Sequence, residues 1–234
     1  MADAKQHNLQ LLATVARSLG DLRDEVVFLG GVTTALLITD PAAASIRPTR
    51  DVDAIIEVVS ISEYQTRLRD RLLSRGFRED TEEGAPLCRW IVEGIKVDIM
   101  PTDPTILGFS NRWYPDAVRH YTAIPLFGGP EVRVVTAPYF LGTKLEAFRN
   151  RGEGDFQGSH DLEDFVAVVD GRIELEAEVA VAAADLRAYF ADYLGEVLQN
   201  RGFIDSLPGH LLGDMASQAR LPMITARLNR LAGI

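Results

Sequence analysis

Apolar positions along the chain fall into two regimes. Up to about residue 135 short apolar runs alternate with turn-forming residues; beyond it they recur at helical spacing. Leu9, Leu12, Val15, Ala16 and Leu19 predict an amphipathic helix over residues 6 to 19, stopped by Gly20. Val26 to Leu29 predicts a strand, followed by a helix over Gly31 to Ile38 and a proline-bearing loop from Asp40 to Pro48. Asp51 to Val59 predicts a central strand, and Ser62 to Arg75 a helix burying Tyr64, Leu68 and Leu72 and ended by Gly76. Pro86 to Val92 and Ile95 to Met100 predict a hairpin around Glu93-Gly94. Residues 103 to 120 lack a clean period and predict a short helix or structured loop. Tyr121 to Leu126 and Val132 to Val135 predict a further strand pair.

The second half is helical throughout. Thr136-Ala137-Pro138 opens a helix running to about Asn150 and burying Leu141, Leu145 and Phe148. After an acidic loop from Gly152 to Gly158, Ser159 caps a helix that buries Leu162, Phe165, Val166 and Val169 and ends at Gly171. Two more helices, residues 174 to 200 and 211 to 232, are expected with Gly202 to Gly209 as their linker. The pattern describes an α+β chain: a mixed β-sheet with flanking helices over residues 1–135, then an all-helical C-terminal part over residues 136–234.

Composition narrows the classes. At 234 residues and 47% hydrophobic, the chain can bury a sizeable core. A formal net charge of −10 disfavours non-specific nucleic-acid binding, which needs lysine and arginine. Local cations at Arg47, Arg50, Lys144, Arg149 and Arg151 could still meet a triphosphate or an RNA end. One cysteine, Cys88, excludes an internal disulfide and suits a reducing cytoplasm; no membrane-length apolar run or signal peptide is present. The four histidines lack zinc spacing.

The candidate chemistry lies in Asp51-Val52-Asp53. On a strand these two carboxylates project to one face, and Asp53 sits inside an apolar run where a lone carboxylate is costly. A hard divalent cation removes their repulsion. Asp98 interrupts a second apolar strand in the same way, and a third carboxylate there would complete a two-metal site. Gly30-Gly31, between a strand and a helix start, would let backbone approach a phosphate, with Thr33 and Thr34 as hydroxyl donors. Each feature also has a plain reading. Asp51 could cap a turn, Asp98 could pair with Lys96 or Arg89, Gly30-Gly31 could be a tight turn, and Lys144 could be a solvated surface lysine. Asp161 and Asp164 suit the first turns of a helix whatever else they do.

Taken in order, Gly30-Gly31, Asp51-x-Asp53 and Asp98 resemble the nucleotidyltransferase superfamily typified by DNA polymerase beta. The fuller pattern, Arg47-x-Thr49-x-Asp51-Val52-Asp53, then Lys144-Leu145-x-Ala147, Arg151-Gly152 and Asp161-x-x-Asp164, resembles the AbiEii-type nucleotidyltransferases, known as toxins of toxin–antitoxin pairs. The likeness covers roughly residues 20 to 170. One departure is Gly31, which stands where the superfamily usually has serine.

The resemblance implies a nucleotidyltransferase-like fold and a magnesium-dependent enzyme that moves a nucleoside monophosphate from a nucleoside triphosphate to a hydroxyl. Asp51, Asp53 and Asp98 would hold two Mg2+ ions; Gly30, Gly31, Thr33, Thr34, Arg50, Lys144, Arg151, Asp161 and Asp164 would handle the nucleotide. It further implies tRNA as acceptor and an antitoxin as partner, in the cytoplasm and away from any membrane. A small-molecule or protein acceptor, a non-catalytic nucleotide-binding regulatory partner, and a purely structural carboxylate network are the alternatives.

Overall fold

The computed structural model describes residues 2–58, 60–152 and 154–234. Val59, the expected end of the central strand, and Glu153 in the acidic loop lie outside the described residues. The chain forms two compact units, Met1–Ala35 with Arg47–Thr136, and Leu36–Ile46 with Ala137–Ile234.

The first unit opens with helix α1 (Ala2–Leu19), which buries Leu12, Val15, Ala16 and Leu19 and ends at Gly20. Strand β1 (Val26–Leu29) follows, then a 3₁₀ turn over Gly31–Thr33 and the single-turn helix α2 (Thr34–Leu37). The central strand is β2 (Asp51–Ile56). A π-type turn over Glu63–Leu68 runs into α3 (Arg69–Ser74). Next come β3 (Arg78–Glu79), β4 (Arg89–Val92) and β5 (Ile95–Pro101). The β4–β5 turn is the expected one: Glu93 (φ 49°) and Gly94 (φ 76°) both adopt the left-handed region that a two-residue hairpin turn needs. The irregular stretch holds two single-turn helices, α4 (Pro104–Leu107) and α5 (Tyr114–Ala117), around a buried Trp113. Strands β6 (Tyr121–Pro125) and β7 (Glu131–Val135) close the unit.

These strands form one seven-stranded mixed sheet in the order β3-β4-β5-β2-β1-β7-β6. β2 pairs parallel with β5, and β1 parallel with β7. One sheet face carries Phe28, Val52, Ala54, Val97 and Ile99, all fully buried, so the side chains that alternate with them face the other way. Cys88 is buried, and burial pushes its thiol up to about 12.

The second unit is helical. Its first long elements are α6 (Ala137–Arg151) and α7 (His160–Gly171), which pack together; Ser159 Oγ accepts the Leu162 N–H as the expected cap. The predicted helix over residues 174 to 200 is broken: α8 (Leu175–Ala180) stops, and α9 (Ala184–Tyr189) continues through a π-type turn into α10 (Gly195–Gln199). Ala183 is extended (ψ 145°), which makes the break. The expected linker Gly202 to Gly209 is helical instead, as α11 (Arg201–Ser206) and a 3₁₀ turn over Leu207–His210. Asn200 caps it by accepting the Gly202 N–H at 2.8 Å. Helices α12 (Met215–Gln218) and α13 (Leu221–Leu231) complete the unit. The segment Leu36–Ile46 is seated on the end of α7, where the Gly171 carbonyl accepts the N–H groups of Thr39 (2.9 Å) and Asp40 (2.8 Å). No helix among the described residues is long and apolar enough to cross a membrane.

Candidate active site on the first unit

Strand register assembles the candidate site. Asp53 on β2 lies opposite Asp98 on β5, and Asp51 opposite Lys96. Asp98 in turn lies opposite Arg89 on β4, and Asp53 opposite Leu29 on β1. One row across the sheet therefore reads Arg89, Asp98, Asp53, Leu29, and cross-strand neighbours share a face. Asp51, Asp53 and Asp98 are all on that face.

Among the described residues no three His, Cys, Asp or Glu side chains gather closely enough to hold a metal ion together. Asp98 is already engaged. Arg89 Nε and Nη2 donate to its two carboxylate oxygens at 2.8 and 2.7 Å. The same bond is the largest cause of a raised Arg89 pKa, so the guanidinium stays charged. Of the two partners the sequence offered Asp98, Arg89 takes it. Lys96 turns to Glu82 (2.7 Å) and Asp80 (3.6 Å). Asp51 accepts from Thr49 Oγ1 at 2.7 Å, and the buried Thr49 is itself held by Asn8 and His7 of α1.

Gly30 brings the glycine turn against the carboxylates. Its φ is +74°, and a Cβ built there would overlap Asp53 Oδ2 and stand 2.8 Å from Asp53 Cγ. Only glycine supplies both that backbone conformation and that space. Gly31 is buried in the turn behind it. Thr33 Oγ1 donates to the Gly30 carbonyl at 2.9 Å, and the Thr34 hydroxyl is buried without a hydrogen bond among the described residues. Arg50, beside Asp51, is exposed.

The remaining candidates form a cluster of their own in the second unit. Lys144 of α6 is 8% exposed, and its Nζ donates to Asp164 at 2.7 Å and to Asp161 at 3.1 Å, both on α7. Arg151 adds contacts to Asp161 at 3.1 to 3.3 Å. Arg149 instead stacks over the Tyr193 ring. Sequence reasoning missed Asn8 and left Arg89 as one of two partners. A buried asparagine in an amphipathic helix was the available signal for the first.

The mixed sheet, its row of aspartates beside a glycine turn and the helical C-terminal part define a nucleotidyltransferase-like α+β protein. The chain matches the family described as nucleotidyl transferase AbiEii toxin, type IV toxin–antitoxin system, over residues 10–231, and belongs to it. The match runs well past residue 170 into the helices that carried no recognisable motif. No curated protein matches the chain.

This family's activity implies a nucleoside triphosphate donor and usually a divalent metal. The residues present fit such an ion chemically. The donor set is all carboxylate oxygen, as a hard cation requires, and Asp51 and Asp53 share a face at the mouth of a turn that only glycine can fill.

Proposed function

We propose that this chain transfers a nucleoside monophosphate from a nucleoside triphosphate to a hydroxyl acceptor, with the reacting phosphates beside the Gly30 turn and the Asp53 carboxylate packed against it. The observation that carries the reading is the close approach of the Asp53 carboxylate to the Gly30 Cα, which sets a carboxylate beside backbone that can meet a phosphate. Asp51 and Asp53 would hold magnesium, and Asp98 would join them for a second ion. Bound there, the metal supplies charge neutralisation at the phosphates and lowers the acceptor hydroxyl's pKa. The chain's own residues do the positioning. Thr49 orients Asp51, the Gly30 turn orients Asp53, and Arg50 offers an exposed cation to the triphosphate. Lys144, Arg151, Asp161 and Asp164 belong to the same proposal as nucleotide-handling residues of the second unit.

The acceptor in this reading is tRNA or another cellular RNA, and the chain is a growth-inhibiting toxin with an antitoxin partner, acting in the cytoplasm. The net charge of −10 keeps a small-molecule or protein acceptor as the second choice. The test is to incubate the full chain with each α-labelled nucleoside triphosphate, magnesium and total RNA, protein or metabolite pools. Label should enter one pool, and Asp53→Ala should abolish incorporation with the melting temperature preserved; an Asp53→Ala chain that still labels its acceptor rejects the assignment. The Arg89–Asp98 pair favours one other reading, a structural carboxylate network. Manganese-soaked crystals with no anomalous peak beside Asp53 would establish it.

A further inference from the structure

Resting on that reading, we propose that Arg89 is a built-in counter-ion that competes with the divalent cation for Asp98, so that the third carboxylate joins the site only as Arg89 gives it up.

The pairing is two-pronged: Nε and Nη2 of one guanidinium take both oxygens of one carboxylate, at 2.8 and 2.7 Å. This planar fork matches a carboxylate better than any single-point cation does. It is also set by register. Arg89 and Asp98 are direct cross-strand partners on β4 and β5, so the arginine reaches its target without spanning a loop. Asp98 is 8% exposed and Arg89 is half-buried, which screens the pair less than an open surface would.

The location gives the pair a task. Asp51, Asp53 and Asp98 share one sheet face, and three like charges there repel unless something offsets them. Lys96 stands opposite Asp51 in register but is bonded to Glu82. Arg89 supplies positive charge directly to the third of these carboxylates before a cation arrives. In that state both oxygens of Asp98 are bonded to Arg89. A divalent cation drawn onto Asp98 and a guanidinium already bonded to it repel each other, so each weakens the other's hold. That coupling is reciprocal by linkage. Removing the Arg89 charge should then tighten cation binding, on the order of tenfold.

The experiment is titration of Mn2+ into the full chain, followed calorimetrically without nucleotide or acceptor, for the wild type, Arg89→Met, Arg89→Lys and Asp53→Asn. Loss of binding in Asp53→Asn locates the ion. Arg89→Met should bind Mn2+ about tenfold more tightly than the wild type, and its melting temperature in chelator should drop more than its melting temperature in Mn2+. Should that variant fail to fold, Arg89→Lys decides by the same readout, with a smaller tightening expected because lysine holds a carboxylate at one point only. Unchanged or weaker Mn2+ binding, with equal melting losses in chelator and in Mn2+, overturns the counter-ion role and leaves the metal reading standing. A wild type that binds no Mn2+ overturns both.

Discussion

Asn8 of α1 grips Thr49 in the loop that leads to the candidate site: its side-chain oxygen accepts the Thr49 N–H at 3.0 Å. Its amide donates to the Arg47 carbonyl at 3.1 Å, and His7 Nε2 lies 3.1 Å from the Thr49 carbonyl oxygen. The Asn8 side chain thus stands in for a neighbouring strand, satisfying the loop backbone on both sides. Thr49 then passes the constraint on, because its hydroxyl donates to Asp51 at 2.7 Å. A helix whose apolar stripe belongs to the core therefore also fixes the first carboxylate of the site.

Asn8→Ala should cost about 1–3 kcal/mol, because it strands the Thr49 N–H and the Arg47 carbonyl near the interior. Urea unfolding would measure it. The same variant should lose nucleotidyl transfer beyond the fraction unfolded, since Asp51 loses its fixed support. Transfer that simply tracks the folded fraction would reduce Asn8 to a stability role.

Gly30 and Asp53 should behave as a coupled pair. Gly30→Ala forces a positive φ with an extended ψ on a residue with a Cβ, about 1–3 kcal/mol, and drives that carbon into the Asp53 carboxylate. Shortening Asp53 removes the obstacle but not the backbone strain. The double variant Gly30→Ala/Asp53→Ala should then be less destabilised than Gly30→Ala alone, by about 1 kcal/mol in a denaturant cycle. Strict additivity would mean that the turn relaxes away from the strand.

In the second unit, Lys144 and Arg151 touch the same aspartate with unequal consequences for stability. Lys144 is buried between Asp161 and Asp164, so Lys144→Met removes the buried cation that the two carboxylates share, at a cost of about 3–5 kcal/mol. Arg151 has a side chain 72% exposed, and Arg151→Ala should change stability by about 0.5 kcal/mol at most. Thermal melts of the two variants side by side test the contrast. Equal losses would place the cluster's weight on Asp161 alone.

What could be read from the sequence followed from local rules. Glu93-Gly94 announced its hairpin because alternation flanked a glycine, and Ser159 announced its helix because a hydroxyl preceded an apolar stripe. The aspartates stood out because apolar strands penalise them. Part of what escaped was decided by strand register between residues apart in sequence. Val179 to Ala184 is a run of small and apolar residues with nothing local to stop a helix, yet it breaks. Gly202 and Gly209 pointed to a linker, while Asn200 as cap and Pro208 early in its turn were the stronger helix signals. Arg89 and Lys96 were equal candidates for Asp98 until register set Arg89 opposite it. The two-residue β3 has no apolar pattern at all and exists only as an edge paired with β4.

The acid limb of stability should be set in part by arginines of the second unit. Arg220 donates to Asp40 at 2.7 Å and to Asp170 at 2.6 Å, fastening the Leu36–Ile46 segment to the end of α7. That bond holds the Asp40 carboxyl below its usual 3.8, and Arg230 likewise holds Glu176 below 4.5. A carboxylate with a lowered folded pKa contributes stability that is fully present above the unfolded value and is lost as pH falls through the folded one. The melting temperature should therefore be level from about pH 7 to about pH 5 and fall below that. Arg220→Met should lower it at neutral pH, because Asp170 is buried and loses a charged partner, and should flatten the acid decline, because Asp40 then titrates near its unfolded value. Melts of the wild type and the variant across that range check both effects. An acid decline equally steep in the variant would show that the Asp40 contact does not contribute to it.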